Sequence, residues 1–155
     1  MQLYFRAPDS TLEYLDDEGA LRWELPIKAL VMIAEYTTAN GPMVDDYFLI
    51  FVALEAGQLF FAPCSFYIDG RDEVLAALRE RLHSPVELGL LASTDWKSRV
   101  VWPAAMAGKE YYTTTEVVPQ KFSQKLKKTL FGTDYEYAIS KTVQEYLDAQ
   151  LANRK

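Results

Sequence analysis

Three apolar runs in the first half of the chain organise the prediction of the fold. They cover residues 30–36 (LVMIAEY), 47–54 (YFLIFVAL) and 59–68 (LFFAPCSFYI). The middle run is apolar at every position, which is typical of a strand covered on both faces. Turn signals separate the runs: residues 40–42 (Asn-Gly-Pro) and residues 55–58, which contain a glycine. The pattern predicts an antiparallel meander whose middle strand is the hydrophobic axis of the domain.

Shorter strands precede this meander. Leu21, Trp23 and Leu25 alternate with the polar residues between them, which is the period of a strand with one buried face. Residues 2–6 and 11–15 are further strand candidates. The sequence therefore predicts a second group of strands at the start of the chain.

Residues 26–36 allow two interpretations. Pro26 at a first helical position, followed by alanine, leucine and methionine, would suit a helix. The sequence Tyr36-Thr37-Thr38 and the hairpin-like loop after it favour extended structure. We prefer a turn at residues 26–29 followed by a strand, with the helix as the alternative.

The period changes to that of a helix after residue 69. Four leucine and valine positions recur at helical spacing, namely Val74, Leu75, Leu78 and Leu82. Asp69 is the expected N-cap, and Ser84-Pro85 ends the pattern. The sequence predicts an amphipathic helix at about residues 70–83.

The C-terminal part predicts two more helices. Residues 120–131 carry the first, and a capping-box sequence at residues 133–136 begins the second. The second has one long apolar stripe, formed by Tyr135, Ile139, Val143, Leu147 and Leu151. Three apolar helix faces then compete for one small sheet, so we expect part of the last helix to pack against a second copy in a homodimer.

These elements predict a single α+β domain over residues 1–155, with a mainly antiparallel sheet and the helices at one face or end. No apolar run approaches the roughly 20 residues of a membrane-spanning helix. The N-terminus lacks a signal-peptide pattern, and the lone cysteine, Cys64, cannot form an internal disulfide. We therefore expect a cytoplasmic protein without a membrane span.

Charge and residue types narrow the function. The chain carries 16 basic and 22 acidic side chains, a net charge of −6, which disfavours nucleic acid as a partner. One histidine, His83, and one cysteine exclude multi-histidine and thiolate metal sites. We read His83 as a cation at a helix C-terminus and Cys64 as a packing residue. The sequence predicts no catalytic residue and no cofactor.

Carboxylates offer one candidate site. Glu35 stands in an apolar run, and Asp45 and Asp46 begin the next strand, across the expected hairpin. Paired carboxylates perform acid–base chemistry or bind divalent cations. Acidic side chains near strand ends more often face solvent, and we prefer that interpretation.

A second candidate lies in and after the polar loop of residues 93–98. It combines aromatic and charged side chains of the kind enriched at recognition surfaces: Asp95, Trp96, Arg99 and Trp102. The alternative is that the two tryptophans fill the edge of the core. A lysine cluster at residues 121–128 could contact phosphates, but a solvated helix face explains it more simply.

Residues 1–83 resemble bacterial domains with a pleckstrin-homology-like fold. The similarity is one of pattern: Asp-Glu-Gly at 17–19, Leu-Arg-Trp at 21–23, the strand at 46–51, and Asp-Gly-Arg-Asp at 69–72 opening a helix. The resemblance implies a non-catalytic binding or scaffolding module and assigns no site residue. Such domains end at their helix, whereas this chain continues.

The sequence thus predicts a small acidic binding or interaction protein without catalytic activity, one form of which is an inhibitor of a basic partner. The alternative is a carboxylate-based enzyme or divalent-metal site that uses Glu35 with Asp45 or Asp46.

Overall fold

A computed structural model describes residues 1–6, 10–38, 45–91, 93, 95–116 and 135–153. Nine strands, one 3-10 turn and two α-helices lie in these ranges. Their order is β1 (Gln2–Arg6), β2 (Thr11–Leu15), β3 (Leu21–Pro26), a 3-10 turn (Ile27–Ala29), β4 (Leu30–Thr37), β5 (Tyr47–Glu55), β6 (Gln58–Ser65), α1 (Arg71–Leu82), β7 (Lys97–Trp102), β8 (Tyr112–Glu116), β9 (Tyr135–Ile139) and α2 (Lys141–Asn153).

The strands form three antiparallel sheets. The first has the order β1-β2-β3, the second β6-β5-β4-β7, and β8 pairs with β9 in the third. The α+β class with mainly antiparallel sheets is therefore confirmed. The strand after α1, β7, pairs with β4, so the central sheet includes residues from beyond residues 1–83.

The predicted meander is confirmed, and β5 is its axis. Phe51 pairs with Ile33 of β4 on one side and with Ala62 of β6 on the other. Alternate side chains of β5 enter two separate hydrophobic cores, which explains the unbroken apolar run. Leu49, Phe51 and Ala53 belong to the first core, and Ile50, Val52 and Leu54 belong to the second.

Different elements pack over the two faces of the central sheet and enclose the two cores. The first lies between that sheet, the β1-β2-β3 sheet and α1, and includes Leu12, Trp23 and Leu78. In the second core, Val143 and Leu147 of α2 are fully buried against the opposite face of the sheet. The central sheet is thus the middle layer of the fold.

Residues 26–37 adopt the preferred of the two predicted structures. Ile27–Ala29 make a 3-10 turn, and β4 follows directly. Pro26 stands before the turn with a φ of −66°, a value that its ring favours, so the proline starts a turn without starting a helix. The helix alternative is wrong.

The predicted helix at about residues 70–83 is present as α1, but its predicted cap is wrong. The N-cap is Gly70, with a φ of 81°, and no side chain caps the helix. The backbone carbonyl of Asp69 instead accepts a hydrogen bond from the Leu3 amide at 2.9 Å. A Cβ on Gly70 would lie 2.1 Å from the Leu3 carbonyl oxygen, so the close approach of β1 requires glycine here.

The start of the last helix is also corrected. Tyr135 and Ile139 lie in β9, so the predicted capping box at 133–136 does not begin a helix. Helix α2 starts at Lys141, and the Ser140 hydroxyl accepts a hydrogen bond from the Val143 amide at 3.3 Å. Pairing with the threonine-rich strand β8 overrides the helical spacing before Ser140.

The predicted helix at 120–131 and the lysine cluster at 121–128 lie outside the described residues. Neither α1 nor α2, the helices that the structure describes, has the length and apolar character needed to cross a membrane.

Candidate functional site

Two residues predicted in separate sites form one buried ion pair. Glu35 of β4 lies directly opposite Arg99 of β7, and the Arg99 Nε donates to the Glu35 Oε1 at 2.5 Å. The Glu35 side chain is 0 % exposed, whereas that of Arg99 is 30 % exposed. An unpaired carboxylate would be costly to bury at this position, so the guanidinium supports the placement of Glu35.

Three further donors reach the Glu35 carboxylate. The Tyr47 hydroxyl and the Leu90 amide donate to Oε2, and the Gly89 amide donates to Oε1 at 2.8 Å. Burial, followed by the hydrogen bond to Glu35, raises the pKa of Tyr47. The carboxylate is therefore surrounded by one cation and three donors, an arrangement that suits a structural anchor.

This ion pair fixes the loop that follows α1. Besides bonding Glu35, Arg99 donates from Nη2 to the Glu87 carbonyl at 2.5 Å. The amides of Gly89 and Leu90 bond the same carboxylate from the loop side. Residues 87–90 are consequently tied to the end of the central sheet through the Glu35–Arg99 pair.

Gly89 is expected to be intolerant of a side chain. A Cβ at this position would lie 2.6 Å from both Cζ and Nη2 of Arg99. The guanidinium cannot move aside without losing its bonds to Glu35 and Glu87. We expect Gly89→Ala to lower the free energy of unfolding by about 1–3 kcal/mol, measured by urea denaturation. Gly19→Ala is the comparison without a clash, because nothing lies within 4 Å of a Cβ there, although its φ of 78° adds a backbone strain that Gly89 does not have. Equal unfolding midpoints for Gly89→Ala and wild type would contradict the described packing.

The other predicted carboxylates have different surroundings. Asp45 and Asp46 are half-buried before β5, and Asp46 accepts a hydrogen bond from the Tyr67 hydroxyl at 2.7 Å. The described contacts give Glu35 a cation and neutral donors as partners rather than a second carboxylate. Among the described residues, no group of three or more histidine, cysteine, aspartate or glutamate side chains is placed to hold a metal ion.

A pocket opens on the opposite face of the same strand ends. Phe48, Tyr36 and Ser98 lie side by side across β5, β4 and β7. Serine is the small member of this row, and it leaves space beside the Tyr36 ring. The pocket has a volume of about 220 Å³ and is lined by Tyr36, Thr37, Trp96, Lys97, Ser98, Glu110 and Tyr112. We call it the aromatic pocket.

Ring contacts and one hydroxyl fix two of its walls. Tyr36 stacks on Phe48 with 5.0 Å between centroids, and Tyr112 meets Tyr36 edge-on at 5.4 Å and 84°. The Ser98 hydroxyl accepts from the Tyr112 amide at 2.7 Å and donates to the Tyr112 carbonyl at 3.2 Å. Burial raises the pKa of Tyr36 to about 12, so its phenol is neutral at physiological pH.

The third wall is Trp96, on the turn before β7. The Thr37 hydroxyl donates to the Asp95 carbonyl at 2.5 Å, and the Lys97 amide donates back to the Thr37 hydroxyl oxygen at 3.3 Å. These bonds join the turn to the end of β4. Trp96 lines the pocket with 38 % of its surface exposed, which is a large exposed fraction for a tryptophan.

The predicted binding residues are thus distributed over three environments. Trp96 lines the aromatic pocket, and Asp95 helps to hold it through its backbone carbonyl. Arg99 belongs to the buried ion pair on the other face of the sheet. Trp102 is half-buried against the first core, as the alternative interpretation expected. Outside the predicted loop, sequence reasoning missed Tyr36, Thr37, Glu110 and Tyr112, because only the fold brings them to Trp96.

Comparisons of this chain with protein-family models, with curated proteins and with solved structures gave no match.

Proposed function

We propose that this chain is a binding protein without catalytic activity, that its partner is a basic protein, and that the aromatic pocket is its contact surface. The observation that carries the proposal is the pocket itself. Tyrosine and tryptophan contribute most of the energy at many protein interfaces, and here Tyr36, Trp96 and Tyr112 converge on one opening. Inhibition of the basic partner is one form that such binding takes.

The charge of the chain supports a basic partner. The chain holds 22 acidic and 16 basic side chains, so it carries a net charge of −6. Complementary charge accelerates the association of two proteins and acts on the rate more than on the final affinity. An acidic chain that presents an aromatic pocket suits a partner that is basic overall.

The environment of Glu35 supports the absence of catalysis. A general base needs a lone pair that faces a substrate. The Glu35 carboxylate instead receives bonds from Arg99, Tyr47 and Gly89 in a position with no exposed surface. No described contact favours the enzyme alternative over the binding function.

Three finer predictions accompany this proposal. A relation to pleckstrin-homology-like domains would also imply a binding module, and a cytoplasmic location is retained. The homodimer is less well supported than the apolar stripe alone predicts, because Val143 and Leu147 pack against the chain's own sheet and the helical stripe is shorter than expected. It remains a prediction for sedimentation of the full chain.

Selection from a displayed library of random twelve-residue peptides tests the proposed function. We expect peptides that bind the wild type and lose at least about tenfold in affinity on Trp96→Ala, because a central aromatic residue commonly contributes more than about 1.4 kcal/mol. Their affinity should also fall when the salt concentration rises.

Leu21→Ala is the matched control for this selection. Leu21 is an exposed apolar residue, 51 % exposed, on β3 of the other sheet. The selected peptides should bind this variant as tightly as they bind the wild type. Equal binding to wild type and Trp96→Ala, or no enrichment at all, would overturn the proposed function.

A further inference from the structure

We infer that the aromatic pocket takes the cationic side chain of a lysine or arginine from the partner. This inference rests on the proposed function and names the chemical group that the pocket recognises. The pocket combines three aromatic rings from three separate segments of the chain with the carboxylate of Glu110. Aromatic rings and a carboxylate both attract a cation, so the pocket should bind a cationic side chain more tightly than a neutral one of similar shape.

The rings supply the first part of the attraction. The face of a tyrosine or tryptophan ring carries negative charge density and attracts an ammonium or guanidinium group within about 6 Å of its centre. Tyr36 and Tyr112 stand at 84° to each other, so they form adjacent walls, and Trp96 adds a third ring. Several rings around one opening are the arrangement that proteins use to hold quaternary and other ammonium groups.

Glu110 supplies the second part. It is exposed beside Tyr111 and lines the same pocket. Lys97 lines the pocket as well and opposes an incoming cation. No ion pair between Lys97 and Glu110 is present in the described part of the chain, so the lysine does not neutralise Glu110 by direct contact. Removal of the Glu110 charge should therefore weaken the binding of a cation, and removal of the Lys97 charge should strengthen it.

The size of the pocket indicates a side chain rather than a larger ligand. Pockets for drug-sized molecules commonly measure about 300–1,000 Å³. The aromatic pocket, at about 220 Å³, is smaller than that range. A lysine or arginine side chain has an apolar stem that packs along rings and a charged end that reaches a carboxylate. Such an anchor also agrees with a partner that is basic overall.

Three small probes of similar shape test the inference: the N-acetyl methylamides of lysine, arginine and norleucine. Norleucine has the lysine stem without the charge. Binding is followed by the NMR shifts of the Trp96 indole in the full chain, assigned by comparison with Trp96→Phe. We expect the lysine and arginine probes to bind about two- to fivefold tighter than norleucine, as cation–π contacts of about 0.5–1 kcal/mol predict.

Two variants that each remove one charge test the roles of Glu110 and Lys97 in binding the lysine probe. Glu110→Gln should weaken binding of the lysine probe about threefold or more, and Lys97→Gln should strengthen it. Both residues are exposed, so neither change should alter folding, and unchanged unfolding midpoints check this. Norleucine binding as tightly as lysine, or weaker lysine binding in Lys97→Gln, would overturn the inference.

The outcomes also separate this inference from the proposed function. Basic peptides that depend on Trp96 but keep their affinity when each lysine or arginine is replaced in turn by norleucine would leave the proposed function standing and overturn the cationic anchor. If no displayed peptide depends on Trp96 and no probe shifts its indole signal, both fail. Peptides that depend on Trp96 and lose binding when a single lysine or arginine is replaced by norleucine support both.

Discussion

Phe51→Ala is expected to lower the free energy of unfolding by about 3–5 kcal/mol, a large part of the stability of a domain of this size. Phe51 is 0 % exposed in the middle of β5, and its ring lies 5.9 Å from that of Trp23 in the other sheet. The alanine would leave a cavity where the central sheet and the β1-β2-β3 sheet meet. Urea denaturation followed by circular dichroism measures the loss.

Phe60→Ala is the matched control for that experiment. Phe60 lies on the neighbouring strand β6, where it pairs with Ala53, and is 42 % exposed. Its truncation removes the same atoms with little cavity, so we expect a loss below about 1 kcal/mol. An unchanged midpoint for Phe51→Ala, or equal losses for the two variants, would show that β5 is not the axis of the fold.

The sequence could predict β5 and its neighbours because their signal is local. An unbroken apolar run of this length requires cover on both faces, and the two cores provide it. The prediction that the last helix begins before Ser140 was wrong because a local signal can also be ambiguous. Apolar residues four apart, such as Tyr135 and Ile139, fit both a helix face and one face of a strand, so spacing alone could not distinguish them.

The site could be predicted only in part, because its contacts join distant segments. The sequence marks both Glu35 and Arg99 as candidates, but 64 positions separate them and only the β4-β7 register makes them partners. That register shifts at an irregularity between Ile33 and Ala34, which no local pattern reveals. The same shift sets Ser98 beside Tyr36 and so determines where the aromatic pocket opens.

The two faces of this strand pair place the ion pair and the aromatic pocket back to back on β4 and β7. Glu35 and Arg99 hold the ends of β4 and β7 together on the face of the first core. Tyr36 and Ser98, the next residue of each strand toward the loops, face the aromatic pocket. Loss of the ion pair should therefore disturb the pocket without removing any residue that lines it.

Arg99→Met is expected to lower the free energy of unfolding by about 3–5 kcal/mol, because it leaves a fully buried carboxylate without its cation. Glu35→Gln should cost less, about 1–3 kcal/mol, since the Arg99 guanidinium is partly exposed and can be hydrated. The double variant Glu35→Leu/Arg99→Met should be more stable than Arg99→Met alone, because no unpaired charge remains. Urea denaturation of the three variants and of Glu35→Leu completes the double-mutant cycle.

The ion pair between Arg22 and Asp16, in which the arginine is mostly exposed, is the control. Its nitrogen and oxygen are 2.8 Å apart, but the Arg22 side chain is 62 % exposed, so Arg22→Met should cost no more than about 1 kcal/mol. Losses for Glu35→Leu and Arg99→Met that simply add in the double variant would show that the two residues act independently. Coupled losses, together with weaker binding of the lysine probe by the folded double variant, would show that the buried pair also positions the aromatic pocket.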